Sequence, residues 1–401
     1  MKQLISPRNN WISQHGNAYS QERKSPLSTQ KQEREYRLAW KTEIRESART
    51  LDDLFKIIPP ETNDRAALAA VLERSPMAVP NYYLSLINFD DPHDPIRKLA
   101  LPSIQEMDLS GSFDTSGEAD NTVVTGLQHK YRETAMMLST NECAMYCRHC
   151  FRKRLVGLPD EGIARDLDAA GTYIKAHPEI TNILVSGGDA LLNSNERIDA
   201  ILMMLTSISH LDFIRIATRI PVSLPSRITS DNELLDILEK YQARKQLFVV
   251  TQFDHPREIT PEATAAVQAV LSLGIPVRNQ TVLLRGVNDD PYVLGDLLKK
   301  LTAIGAEPYY VFQCRPVSSV KSQFQVSLKE GIRIVEAAKA LQNGMGKSFR
   351  YCMSHVTGKI EILGEMPDGT MAFKYHEAKD RSNLGRIFTR EINDNQAWLD
   401  D

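Results

Sequence analysis

Three of the five cysteines fall within eight positions, as Cys143-Ala144-Met145-Tyr146-Cys147-Arg148-His149-Cys150, while Cys314 and Cys352 stand alone. Thiolates spaced four and three residues apart in a loop can converge on one centre, and iron-sulfur clusters are held by cysteines at such spacing. Three ligands on a four-iron cluster leave one iron open to another molecule. Zinc is the bland alternative, with His149 as a fourth ligand, although adjacent Cys and His side chains do not easily close a tetrahedron. An odd, clustered set fits poorly with a disulfide scaffold and well with a reducing compartment. Further along, Ser186-Gly187-Gly188-Asp189 offers glycines that let backbone come close to a ligand and a carboxylate that can accept from an amino group. A tight strand-to-helix turn would explain those glycines alone.

The elements that position these residues are read from apolar rhythm. Short β-branched runs at 135–139, 182–186, 213–218, 247–251, 277–284 and 309–313 alternate with helical spacing at 195–206, 232–241, 261–273 and 291–304. Ser230-Asp231 and Thr260-Pro261 supply cap chemistry at two helix starts. Six strand-helix units in a row predict a parallel α/β sheet with its site at the strand C-terminal ends, and they favour a partial (β/α)6 barrel with a gap. The unusual residues fall where that rule asks. The cysteines follow the first strand, Gly187-Gly188-Asp189 the second, Arg219 the third, Gln252 and His255 the fourth, Arg285 the fifth and Arg315 the sixth.

Four regions are expected: a polar arm over 1–35, a helical segment and irregular strap over 36–128, the barrel over 129–320 and a C-terminal extension over 321–401. Of the 401 residues, 42% are hydrophobic and 25% charged, enough for a large core, and 48 Lys+Arg against 51 Asp+Glu give a net charge of -3. Such a balance carries no global field toward nucleic acid or an anionic membrane. No apolar stretch approaches the roughly 20 residues of a membrane helix, and the first 28 residues lack a signal-peptide core. A cytoplasmic enzyme is expected.

The cysteine spacing, with Gly187-Gly188-Asp189 after the next strand, resembles the radical S-adenosylmethionine superfamily. Six further segments resemble the lysine 2,3-aminomutase family: Tyr82-Tyr83-Leu84-Ser85-Leu86, Asp94-Pro95-Ile96-Arg97-Lys98, Met145 to Cys150, Leu184 to Leu191, Val282 to Asp289 and Pro308 to Cys314. The likeness runs from about Leu38 to about Phe373. It implies a [4Fe-4S] cluster on Cys143, Cys147 and Cys150, and S-adenosyl-L-methionine on the open iron with Ser186, Gly187, Gly188, Asp189, Gln252 and Gln280 around it. It also implies pyridoxal 5′-phosphate on a Schiff-base lysine after a glycine. Lys359 is the candidate and Lys347 the competitor. Tyr131 is the expected ring partner. Phosphate-binding arginines of the family are replaced by Lys130 and Thr134, with Arg132 as a possible substitute from a shifted position.

Arg152 matches the arginine that holds the substrate α-carboxylate, a job suited to a bidentate guanidinium. At the side-chain end the chain departs from lysine-specific relatives, which present two aspartates to the ε-ammonium. Arg315 and Ser354 stand near those places. A guanidinium repels an ammonium and attracts a carboxylate, so L-glutamate is the expected substrate and β-glutamate the product. Alternatives are L-lysine or another amino acid, a radical enzyme acting on a macromolecule without pyridoxal phosphate, a cluster of purely structural or redox-sensing use, and an Arg315 that merely pairs with Asp289 or Asp290. The resemblance further implies a flavodoxin or ferredoxin as electron donor and a homo-oligomer.

Overall fold

The computed structural model describes residues 39–57, 65–158 and 162–400; the polar arm and Pro59-Pro60 lie outside them. Among the described residues twelve strands form one sheet in chain order. Three strands open it, β1 (Thr122–Val124), β2 (Leu127–Tyr131) and β3 (Thr134–Thr140), with the first two pairings antiparallel. From β3 the sheet is parallel through β4 (Asn182–Gly187), β5 (Phe213–Ala217), β6 (Gln246–Thr251), β7 (Val277–Leu283), β8 (Ala306–Gln313) and β9 (Arg350–His355). Strands β10 (Gly358–Glu365), β11 (Met371–Ala378) and β12 (Ile387–Arg390) then return antiparallel. Among the described residues β1 and β12 do not pair, so the barrel stays open.

Each parallel crossover carries a helix, as parallel pairing requires. Before them in the chain, α1 (Ala39–Arg45), α2 (Leu51–Ile57) and α3 (Arg65–Arg74) form the N-terminal helical segment. The crossover helices are α4 (Leu167–Ala176), α5 (Asn195–Thr206), α6 (Asn232–Gln242), α7 (Pro261–Ser272), α8 (Pro291–Ala303) and α9 (Leu328–Ala340). The caps read from the sequence are made: Asp231 accepts from Leu234 N–H and Thr260 from Ala263 N–H, both at 3.1 Å. The six-unit partial barrel is therefore what the chain builds, with β9 as a seventh parallel strand that the sequence did not separate from the extension. No described helix is long and apolar enough to cross a membrane.

The N-terminal segment clamps the cysteine loop. Arg148, inside the three-cysteine motif, is buried and donates to Glu106 at 2.8 and 2.5 Å and to the Pro76 carbonyl at 3.0 Å, while Lys153 donates to the same Glu106 at 2.5 Å. Lys153 thus faces inward onto the strap. Burial opposes charge on Glu106, but the two cations hold its carboxyl below the usual range. Removing one member of a buried ion cluster strands the others in low dielectric. Glu106→Ala is expected to cost about 3–5 kcal/mol in denaturant melts, whereas exposed Glu239→Ala, outside any such cluster, should cost under about 0.5 kcal/mol.

Candidate active site

One cavity at the strand C-terminal ends collects the residues that the sequence singled out. Its wall includes Cys143, Cys147 and Cys150 after β3, the Ser186–Asp189 loop after β4, Gln252 after β6, Gln280 on β7, Arg315 after β8 and Lys359 on β10. His255 and Arg285 do not line it. His255 caps a short turn through Nδ1, and Arg285 Nε donates to the Gln325 carbonyl.

All three clustered thiols are free, and burial pushes each up, with Cys147 at about 11. Their charges also reinforce one another, as expected of three sulfurs sharing a site. Among the described residues no three His, Cys, Asp or Glu side chains are placed to hold a single metal ion. Three clustered thiolates fall short of the four closed ligands of a structural zinc site and match a four-iron cluster with one iron left open. His149 Nε2 is engaged by Gln252 Nε2 at 2.9 Å and Asp254 Oδ2 at 3.3 Å, while its Nδ1 is buried without a hydrogen-bond partner. Arg219 donates to Cys147 Sγ at 2.9 Å and to Glu258 at 2.6 Å, placing a fixed cation beside one of the sulfurs.

The glycines serve protein packing first. Gly187 has φ +117°, and a Cβ there would lie 2.2 Å from the Thr140 carbonyl oxygen; at Gly188 it would lie 2.2 Å from that of Glu142. The loop is thereby pressed onto the backbone that leads into the cysteines. Asp189 is likewise engaged, accepting from Thr218 Oγ1 and Arg219 N–H at 2.6 Å each and from Leu191 N–H at 3.1 Å. Burial pushes its carboxyl up. A ligand amino group would have to share an oxygen already tying the β4 loop to β5.

The two candidate lysines stand in different surroundings. Lys347 is exposed in a short turn, whereas Lys359 lines the cavity on β10, opposite Ser354 of β9. Its Nζ lies 3.2 Å from Glu377 Oε1 and 4.6 Å above the Tyr310 ring. Lys359 is in a strand rather than a loop. Gly358 is needed because a Cβ would strike the Glu377 carbonyl of β11 at 2.2 Å. Tyr131, Lys130 and Thr134 line the same cavity, but Arg132 is exposed and does not. Lys130 Nζ donates to the His355 carbonyl at 2.6 Å, and burial leads the influences that bring it down to about 8.

Two arginines share one phenyl ring. The Arg152 guanidinium carbon is 4.5 Å and that of Arg315 4.1 Å from the Phe151 centroid. Arg152 Nε pairs with Glu118 Oε1 at 3.1 Å and Nη1 reaches Ser186 Oγ at 3.0 Å, while Nη2 meets only the weak acceptor Met136 Sδ at 2.8 Å. Arg154 pairs with the other Glu118 oxygen. Burial opposes charge on Glu118, but Arg152, Arg315 and Arg154 together keep its carboxyl low. Arg315 Nη1 is buried without a hydrogen-bond partner. Asp289 and Asp290 do not pair with it; they accept from Gly286 N–H and from the first turn of α8. Burial, with Arg152 repulsion added to it, outweighs the attraction of Glu118 and leaves Arg315 at about 10, still a cation at neutral pH.

No family model matches the chain. It is 41% identical over 346 residues to a putative L-lysine 2,3-aminomutase of Aquifex aeolicus, covering 86% of this chain and 91% of that one. The chain belongs to the lysine 2,3-aminomutase family. Within the family it is 39% identical to the L-lysine 2,3-aminomutase of Clostridium subterminale, over 76% of this chain and 73% of that one. It is 36% identical to the glutamate 2,3-aminomutase of Clostridioides difficile, over 74% and 69%. These aminomutases carry both substrate names, so the departures at Arg315 and Ser354 matter more than overall identity. Sequence reasoning missed Glu118 and Glu377, the two carboxylates that hold Arg152 and Lys359, because neither belongs to a recognisable motif.

Proposed function

We propose that this aminomutase moves the α-amino group of L-glutamate to Cβ, giving β-glutamate. Arg315 carries the reading. A partly buried guanidinium with an unpartnered Nη1, aimed into the cavity that holds Lys359, is a poor neighbour for a substrate ammonium and a ready one for a carboxylate.

When bound, the [4Fe-4S] cluster and S-adenosylmethionine supply the radical that takes hydrogen from Cβ, and pyridoxal phosphate holds the migrating nitrogen. The cluster is assigned to Cys143, Cys147 and Cys150. The S-adenosylmethionine contacts fall to Ser186–Asp189, Gln252 and Gln280, and the pyridoxal site to Lys359 with Tyr131 and Lys130 nearby. The chain's own work is binding and orientation. Arg152, steadied by Glu118 and Ser186, presents Nη2 to the α-carboxylate. Arg315 takes the distal carboxylate, with Ser354 as a neutral neighbour. Arg152 and Arg315 both lie against the Phe151 ring, so one aromatic side chain supports both guanidinium groups through cation-π contact. Glu377 Oε1, 3.2 Å from Lys359 Nζ, is placed to take the proton that the amine must lose before it can act as a nucleophile.

Incubating anaerobic, reconstituted enzyme with reductant, S-adenosylmethionine, pyridoxal phosphate and 15N-labelled L-glutamate should move the label from Cα to Cβ, as read by NMR. Labelled L-lysine under the same conditions should return unchanged. Rearranged lysine with unchanged glutamate would overturn the substrate assignment while leaving the chemistry intact.

A further inference from the structure

Among the described residues the cavity wall holds two unpartnered guanidinium atoms, and only one is explained by an amino acid side chain. Besides Arg315 Nη1, Arg215 Nε is buried with no hydrogen-bond partner. Arg215 lies on β5 with its side chain in the cavity. Its Nη2 donates to Asn182 Oδ1 at 2.7 Å, and Asn182 in turn donates to Thr134 Oγ1 at 3.1 Å. The three residues therefore form a connected polar floor where β3, β4 and β5 run side by side. Among the described residues no carboxylate lies within ion-pair distance of Arg215, whereas Arg278, two strands away on β7, has Glu307 at 3.0 Å.

A guanidinium kept from water without a counter-ion is costly unless an anion arrives. The other cavity cations are spoken for: Arg152 by Glu118, Arg219 by Glu258 and Lys359 by Glu377. Lys130 donates to backbone carbonyls, and Arg315 shares the Phe151 ring with Arg152. Arg132, the sequence candidate for a phosphate contact, is exposed and outside the cavity. We infer that Arg215, oriented by Asn182, is the residue that receives the phosphate of pyridoxal 5′-phosphate, with Thr134 Oγ1 as a neighbouring hydroxyl donor. The inference rests on the assignment of pyridoxal phosphate to this cavity but not on the identity of the amino acid. A planar fork suits a phosphate, and the strand holds it more rigidly than a turn would.

The test is an absorbance titration of the purified protein, without substrate, using pyridoxal 5′-phosphate and unphosphorylated pyridoxal in parallel. Wild type should bind the phosphorylated form roughly 100-fold more tightly. Arg215→Gln should lose roughly 10- to 100-fold in affinity for it while binding pyridoxal as before, so that the preference collapses. Arg215→Lys, which keeps the charge and loses the fork, should retain an intermediate preference and guards against a folding defect in the glutamine variant. An unchanged preference in Arg215→Gln, or an equal loss for both ligands in both variants, overturns the inference. Wild type that forms no band with either ligand overturns the cofactor assignment and this inference with it, whereas an intact band alongside failed glutamate turnover strikes only the substrate reading.

Discussion

Arg315→Gln should lower kcat/KM for L-glutamate by ~10²–10³-fold and leave the free protein at least as stable as wild type. The first half follows from removing one partner of a desolvated charge pair, worth about 2–5 kcal/mol when the other partner is left unpaired. The second follows from Nη1, which has no protein partner to lose. The substitution gives up attraction to Glu118 but relieves the burial of a charge, the largest influence that brings Arg315 down to about 10, together with repulsion from Arg152. A structural arginine behaves the opposite way, losing stability with little change in specificity. Arg315→Asp extends the argument: it should depress glutamate turnover further and raise lysine turnover above the wild-type trace, because the sign at the distal end is reversed. Steady-state kinetics with both amino acids and a thermal melt on each variant check these outcomes.

Lys359→Ala should abolish the absorbance band of protein-bound pyridoxal phosphate and lower turnover by at least ~10³-fold, while Lys347→Ala should leave both unchanged. Lys359 has the enclosure a Schiff-base lysine needs, with a carboxylate at 3.2 Å and an aromatic face beneath it, and Lys347 has neither. Glu377→Gln should keep the fold and slow formation of the band, since an amide can orient Nζ but cannot accept its proton. A band that persists in Lys359→Ala would move the cofactor elsewhere.

The parts of this site that the sequence disclosed are those in which chemistry and local periodicity coincide. The six strands were placed to within three residues because each is a short apolar run ending in an unusual residue, as at Val185-Ser186-Gly187 and Phe312-Gln313-Cys314. Strand β9 was not, since Arg350–His355 reads like any short run and its parallel pairing with β8 depends on α9 folding back over the sheet. Glu118 lies in an irregular strap with no period, so nothing local ties it to Arg152, 34 residues away. Arg132 and Arg215 teach the same lesson from opposite sides. Arg132 adjoins Tyr131 in sequence but points to solvent, whereas Arg215 reaches the floor beside Thr134 only because β4 bridges β3 and β5. The glycine loop was legible as a motif but not as a mechanism: the close approach that requires Gly187 and Gly188 is to Thr140 and Glu142.

The central claim is that Arg152 and Arg315 hold the two carboxylates of one small substrate. Internal competition tests it most directly, with equal concentrations of L-glutamate and L-lysine offered to one sample of reduced holoenzyme and both β-amino acids quantified at low conversion. The product ratio is then the ratio of kcat/KM values. The account predicts β-glutamate over β-lysine by at least ~10²-fold. A ratio near or below one would contradict it.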